Sequence, residues 1–116
     1  MTPESKIKKE IVAYLDSLGD RCWHVAYTNV HGYGRKGVPD RLLSYKGKFV
    51  ALEIKSDVGK PTLWQEKQID AIRTSGGLAF VVRSVHAVKH IIKHLDTDIA
   101  LNSLENREAL ERCGPQ

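Results

Sequence analysis

Residues 37–55 read GVPDRLLSYKGKFVALEIK, and this stretch decides the fold. Two runs rich in strand-forming residues, 39–45 and 48–55, meet at Lys46-Gly47, which predicts a hairpin with a two-residue turn. In that register Tyr45 faces Lys48, Leu43 faces Val50 and Asp40 faces Glu53. Side chains alternate along the second strand, so Val50, Leu52 and Ile54 take one face and Phe49, Ala51, Glu53 and Lys55 the other. Asp40, Glu53 and Lys55 then gather at one end of one sheet face. Two facing carboxylates repel and destabilise a sheet unless a cation lies between them. A divalent ion with a preference for oxygen, Mg²⁺ or Mn²⁺, is such a cation. A three-residue turn would break the pairing, and an E-x-K strand taken alone also reads as a surface salt bridge between Lys55 and a carboxylate.

Upstream, residues 3–18 form a predicted helix with Ile7, Ile11, Leu15 and Leu18 on one stripe, opened by Thr2-Pro3 and closed by Gly19. Glu4 lies at the centre of that apolar stripe, and Glu10 about 120° away from it. An acid on a core-facing stripe suits a cation near the sheet, although a first-turn glutamate also complements the helix dipole. Residues 22–29 read as a strand and 30–37 as a basic glycine-rich loop. Downstream of the hairpin, 56–61 form a loop and Thr62 caps a helix that runs to about Ser75 and stops at Gly76-Gly77. Residues 78–83 are a short buried strand, and Ser84 caps a helix ending near Leu95. The order α-β-β-β-α-β-α predicts an α/β domain with helices packed on a mixed central β-sheet. Residues 1–96 make the domain. Residues 97–116, with Ile99, Leu101, Leu104 and Leu110 at no clean period, make a tail that either packs as a short helix or frays.

The chain of 116 residues has the size of one domain, and 41% hydrophobic with 28% charged residues excludes global disorder. Cys22 and Cys113 form no C-x-x-C pair, which excludes a disulfide scaffold and a cysteine zinc site and fits a reducing compartment. No apolar run reaches the roughly 18 residues of a spanning helix, and MTPESKIKKE has no signal-peptide core. A cytoplasmic domain is expected. Residues 1–96 carry 16 Lys and Arg against 10 Asp and Glu, and residues 97–116 carry 2 against 4. A basic body with a mildly acidic tail is compatible with a polyanionic partner such as nucleic acid.

Gly37-Val38-Pro39-Asp40, followed after twelve residues by Glu53-Ile54-Lys55, resembles the PD-(D/E)xK nuclease signature. With Glu4, the element Thr62-Leu63-Trp64-Gln65, and Gly76-Gly77 before a strand, residues 3–95 resemble the VRR-NUC family in its stand-alone form. The resemblance implies a restriction-endonuclease-like core and a metal-dependent endodeoxyribonuclease, acting on branched DNA such as a four-way junction. It implies Asp40 and Glu53 as ligands of Mg²⁺ or Mn²⁺, with the Ile54 backbone carbonyl as a third. Lys55 would position or deprotonate the attacking water, and Gln65 would orient water or phosphate. Glu4 would act through a metal-bound water or ligate a second metal, with Glu10 as the weaker alternative. Arg35 and Lys36, with Lys60 beyond the E-x-K strand, are the candidate phosphate contacts. A homodimer follows from cutting two symmetric strands, with Ile99, Leu101 and Leu104 nominated for its interface. A bacterial or phage-infected cell is the implied setting. Flap or nicked-duplex cutting within a larger assembly, or a catalytically silent DNA-binding module, are the alternatives.

Three further patterns carry less. Gly32 to Gly37 matches G-x-G-x-x-G, but Val38-Pro39 follows where a dinucleotide fingerprint needs a helix to open. His86, His90 and His94 are spaced on one helix face opposite Val88, Ile91, Ile92 and Leu95, and read as a solvated face. Trp64, at a helix start, is expected to pack in the core rather than stack on a base.

Overall fold

Thr2 opens helix α1 (Pro3–Ser17): its hydroxyl accepts the Ser5 amide at 3.1 Å, and Pro3 sits in the first turn, where an amide would have no helical partner. The computed structural model describes residues 2–28, 34–97 and 104–111. A single 3₁₀ turn, Gly19–Arg21, leads from α1 into strand β1 (Cys22–Ala26). Strands β2 (Arg41–Tyr45) and β3 (Lys48–Ile54) follow, then helix α2 (Leu63–Thr74), strand β4 (Leu78–Val82), helix α3 (Val85–Asp96) and helix α4 (Leu104–Glu111).

The four strands lie in the order β1-β2-β3-β4, with the first two pairings antiparallel and β3-β4 parallel. The expected hairpin register is present, from Tyr45 opposite Lys48 to Arg41 opposite Leu52. Lys46 and Gly47 both adopt positive φ, 48° and 84°, as a two-residue turn matched to strand twist requires. The mixed α/β fold expected from the element order is the one observed, and α4 extends it.

One face of the sheet presents Leu43, Val50, Leu52, Ile54, Phe80 and Val82 to Ile11 and Leu15 of α1 and to the apolar stripe of α3. The opposite face presents Ala51, Ala79 and Val81 to Ile69 of α2. With Leu42 of β2 at the margin of the contact, helix α2 packs chiefly on the β3–β4 half of that second face. Trp23, Val25 and Phe49 project from it and stay exposed.

Some expectations need correcting. The first strand ends at Ala26, and residues 29–33, which include most of the glycine-rich loop, lie outside the described residues. Leu110 of α4 is buried in the main core, so this part of the tail packs on its own domain. Ile99 and Leu101 lie outside the described residues. His86, His90 and His94 are half-buried, not solvated, and the first two rings meet edge to face at 4.4 Å.

Candidate active site

Glu53 lies near the end of β3, on the face turned toward α2, and is 1% exposed. Asp40 immediately precedes β2, in line with the register that puts Arg41 opposite Leu52. Its Oδ2 accepts the Ile54 amide at 2.9 Å, and its backbone oxygen accepts the Tyr27 amide at 2.9 Å. Those two bonds fix the Asp40 carboxylate against the end of β3. The sheet therefore brings Asp40 and Glu53 together at one end, as the two-residue turn requires.

The charges there are poorly matched. Glu53 Oε2 accepts a hydrogen bond from Gln65 Nε2 at 3.2 Å and lies 3.7 Å from Lys55 Nζ, while no donor reaches the buried Oε1 and the Asp40 carboxylate lies within hydrogen-bonding range of the Glu53 carboxyl. Burial, and then the neighbouring Asp40 carboxylate, push the Glu53 carboxyl up to about 8, against a smaller pull from Lys55 and Lys8. Without a cation the pair is tolerated because Glu53 keeps its proton and shares it with Asp40; ionised, the buried oxygen would lack a donor at a cost.

Lys8 escaped the sequence reading. Its Nζ is 3.6 Å from Asp40 Oδ1 and 3.4 Å from Glu4 Oε2, so Glu4 reaches the site only through this lysine. The i,i+4 spacing of Glu4 and Lys8 was visible in the sequence, but the end of β2 that Lys8 meets was not. Glu10 is exposed on α1.

Helix α2 begins with a capping box: Thr62 Oγ1 accepts the Gln65 amide, and Gln65 Oε1 accepts the Thr62 amide at 2.8 Å. With its oxygen bonded to the cap and one N–H to Glu53, Gln65 orients the carboxylate and keeps a second N–H. The loop carrying Asp40 rests on the same turn. Gly37 has φ +82°, and a Cβ there would fall 2.4 Å from the Trp64 carbonyl oxygen, so only glycine lets the two backbones meet.

Trp64 is not in the core, contrary to expectation; it is 50% exposed, and Lys36 Nζ and Lys67 Nζ each lie 5.3 Å from its ring centroid. Arg35 is exposed and its carbonyl accepts the Tyr27 hydroxyl. Lys60 is exposed in the loop after β3, which Arg83 clamps through the carbonyls of Ser56 and Gly59. Arg83 is a second residue that sequence reasoning missed, since nothing local marks a residue after β4 as the anchor of a loop after β3.

A cleft of about 140 Å³ opens beside Asp40, lined by Lys8, Tyr27, Arg41 and Ile54. A larger cavity of about 600 Å³, lined by Asp70, Arg73, Arg83 and Glu111 among others, contains none of Asp40, Glu53 or Lys55. Among the described residues no three His, Cys, Asp or Glu side chains converge as a metal cage. Two hard carboxylate donors, one with a free buried oxygen, nonetheless fit Mg²⁺ or Mn²⁺, because Mg²⁺ takes one or two carboxylates and keeps several waters.

Neither a family profile nor a curated protein matches the sequence. Solved structures do. One described as a VRR_NUC domain superposes with a TM-score of 0.66 at 28% identity, covering 81% of this chain and 98% of that one. A second, described as a VRR_NUC domain protein, shares the fold with a TM-score of 0.60 at 16% identity, covering 87% of this chain and 91% of that one. A solved VRR_NUC domain is thus matched over nearly its whole length by this chain, which has the restriction-endonuclease-like fold of that domain and is similar to it in sequence.

Proposed function

We propose that the protein is a divalent-metal-dependent DNA endonuclease. One observation carries this reading: Glu53 is buried with a free oxygen, beside Asp40 and within 3.7 Å of Lys55. Asp40 and Glu53 would hold Mg²⁺ or Mn²⁺, with the Ile54 carbonyl as a further oxygen donor and Glu4 acting from behind Lys8. The bound ion would neutralise phosphate charge and lower the pKa of an attacking water.

The chain's own residues do the rest. Lys55 stabilises the charge that grows on the phosphate oxygens in the transition state, from a fixed place two residues along from Glu53. Gln65 holds Glu53 in one orientation. Arg35, Lys36 and Lys60 take phosphates away from the cut. Branched DNA, a four-way junction foremost, is the proposed substrate, and two copies of the chain would act on it. Trp23, Val25 and Phe49, exposed on the uncovered sheet face, are described apolar residues available to meet a second copy.

A cleavage panel with Mg²⁺, Mn²⁺ or EDTA over four-way junction, flap, duplex and single-stranded DNA tests this. Cutting is expected only with metal and fastest on the junction. Lys55→Ala should slow it roughly 10²–10³-fold with DNA binding retained. A protein that binds DNA but never cuts under any metal would be a silent module of this fold.

A further inference from the structure

We infer that Trp64 is a stacking platform for an unpaired DNA base beside the scissile phosphate, an inference that rests on the nucleic-acid reading above. Helix α2 spends its apolar side, Ile69 and Ile72, on the sheet, and Trp64 lies off it with half its surface in water. An indole left this exposed gains nothing for the core. Two cations lie over the ring: the ammonium groups of Lys36 and Lys67 each stand 5.3 Å from its centroid. Both lysines are exposed, so an arriving base displaces them from the ring while its flanking phosphates take their charges, the combination by which proteins hold a single strand. The same two charges are a poor match for an apolar protein partner.

The backbone that carries the ring is also tied to the carboxylates. The Gly37 backbone packs against the Trp64 carbonyl, which ties the ring's residue to the Asp40 loop. The next residue, Gln65, holds Glu53. A base on Trp64 would therefore sit one residue from the group that orients the metal-binding acid. In a continuous duplex each base is stacked on its neighbours and is not free to take the ring. Trp64 would accordingly select DNA with an unpaired nucleotide next to the cut, as at a branch point.

Binding in EDTA tests this without any cleavage. The probes are a fluorescein-labelled single strand and a blunt duplex of the same sequence, followed by anisotropy. A Trp23→Phe background isolates Trp64 emission. The single strand is expected to quench that emission. Trp64→Ala should weaken single-strand binding about ten-fold, the loss of one base–aromatic stack, and leave duplex binding unchanged. Trp64→Phe should recover most of the loss. Equal loss on both probes, or no loss on either, overturns the proposal, as does a shift in sedimentation that makes the ring a protein contact. If wild-type protein binds neither probe, the platform falls; if it binds no four-way junction either, the nucleic-acid reading falls as well. If it binds and cuts DNA while Trp64→Ala changes nothing, only the platform falls.

Discussion

The β2–β3 hairpin has a carboxylate environment at each end, and the two are opposite in design. At the turn end Asp96 accepts the Tyr45 hydroxyl and the Lys46 ammonium, each at 2.7 Å. The Lys46 bond, then the Tyr45 bond, hold its carboxyl below the usual range. At the open end Glu53 faces a second carboxylate, keeps one buried oxygen unpartnered, and is pushed up to about 8. The same two strands thus end once in charges that satisfy each other and once in charges left wanting a cation. Folding alone favours the first arrangement. In the proposed function, a bound divalent ion would offset the cost of the second.

The largest effect that could break this contrast comes from Glu53→Gln. Cleavage should fall by roughly 10³-fold, the several kcal/mol a metal supplies to the transition state. The metal-free protein should meanwhile gain roughly 1–3 kcal/mol near pH 8, because the buried charge is gone. The pH dependence follows from which state holds the proton. The folded chain keeps a proton on Glu53 up to about 8, while the unfolded chain releases it near 4.5. Between those values unfolding releases a proton, so this group's contribution to stability is lost as pH rises. Chemical denaturation of the metal-free protein should report the decline in wild type and its absence in Glu53→Gln. A variant less stable than wild type at pH 8 would mean that Glu53 is a structural acid like Asp96.

Gly37→Ala sharpens the contrast from the backbone side. A Cβ at φ +82° and 2.4 Å from the Trp64 carbonyl must displace the loop that carries Asp40. The expected loss is roughly 1–3 kcal/mol of stability from the strained residue alone, read by thermal melting. Activity should drop further than stability, since Asp40 moves with the loop. At the satisfied end, Asp96→Asn is expected to have the smallest effect: a slight fall in melting temperature, no change in cleavage, and a stability difference from wild type that vanishes on acidification below the usual carboxylate range, where Asp96 takes a proton.

Much of this was legible in the sequence, for reasons of period and chain geometry. Lys46-Gly47 fixed the turn, and the turn fixed the register that brings Asp40 to Glu53. The Thr62-x-x-Gln65 spacing announced the capping box, though not that the Gln65 side chain would bridge the cap and Glu53. Tertiary contacts were less accessible. Lys8 reaches Asp40 only because α1 crosses the end of the sheet, and Arg83 clamps a loop from another strand. Trp64 was misjudged because an aromatic beside a helix start gives no sign of which face the helix will bury. The position of α2, set by Ile69 and Ile72 on the sheet, decides that.

The most direct test is calorimetric titration of Mn²⁺ into the protein below pH 8, in two buffers that differ in ionisation enthalpy. Proton release accompanying metal binding, absent in Glu53→Gln, is the predicted result, because the ion must replace the proton that the buried acid holds. Metal binding with no proton release, or with the same release in Glu53→Gln, would contradict the claim that Glu53 and Asp40 form the cation site.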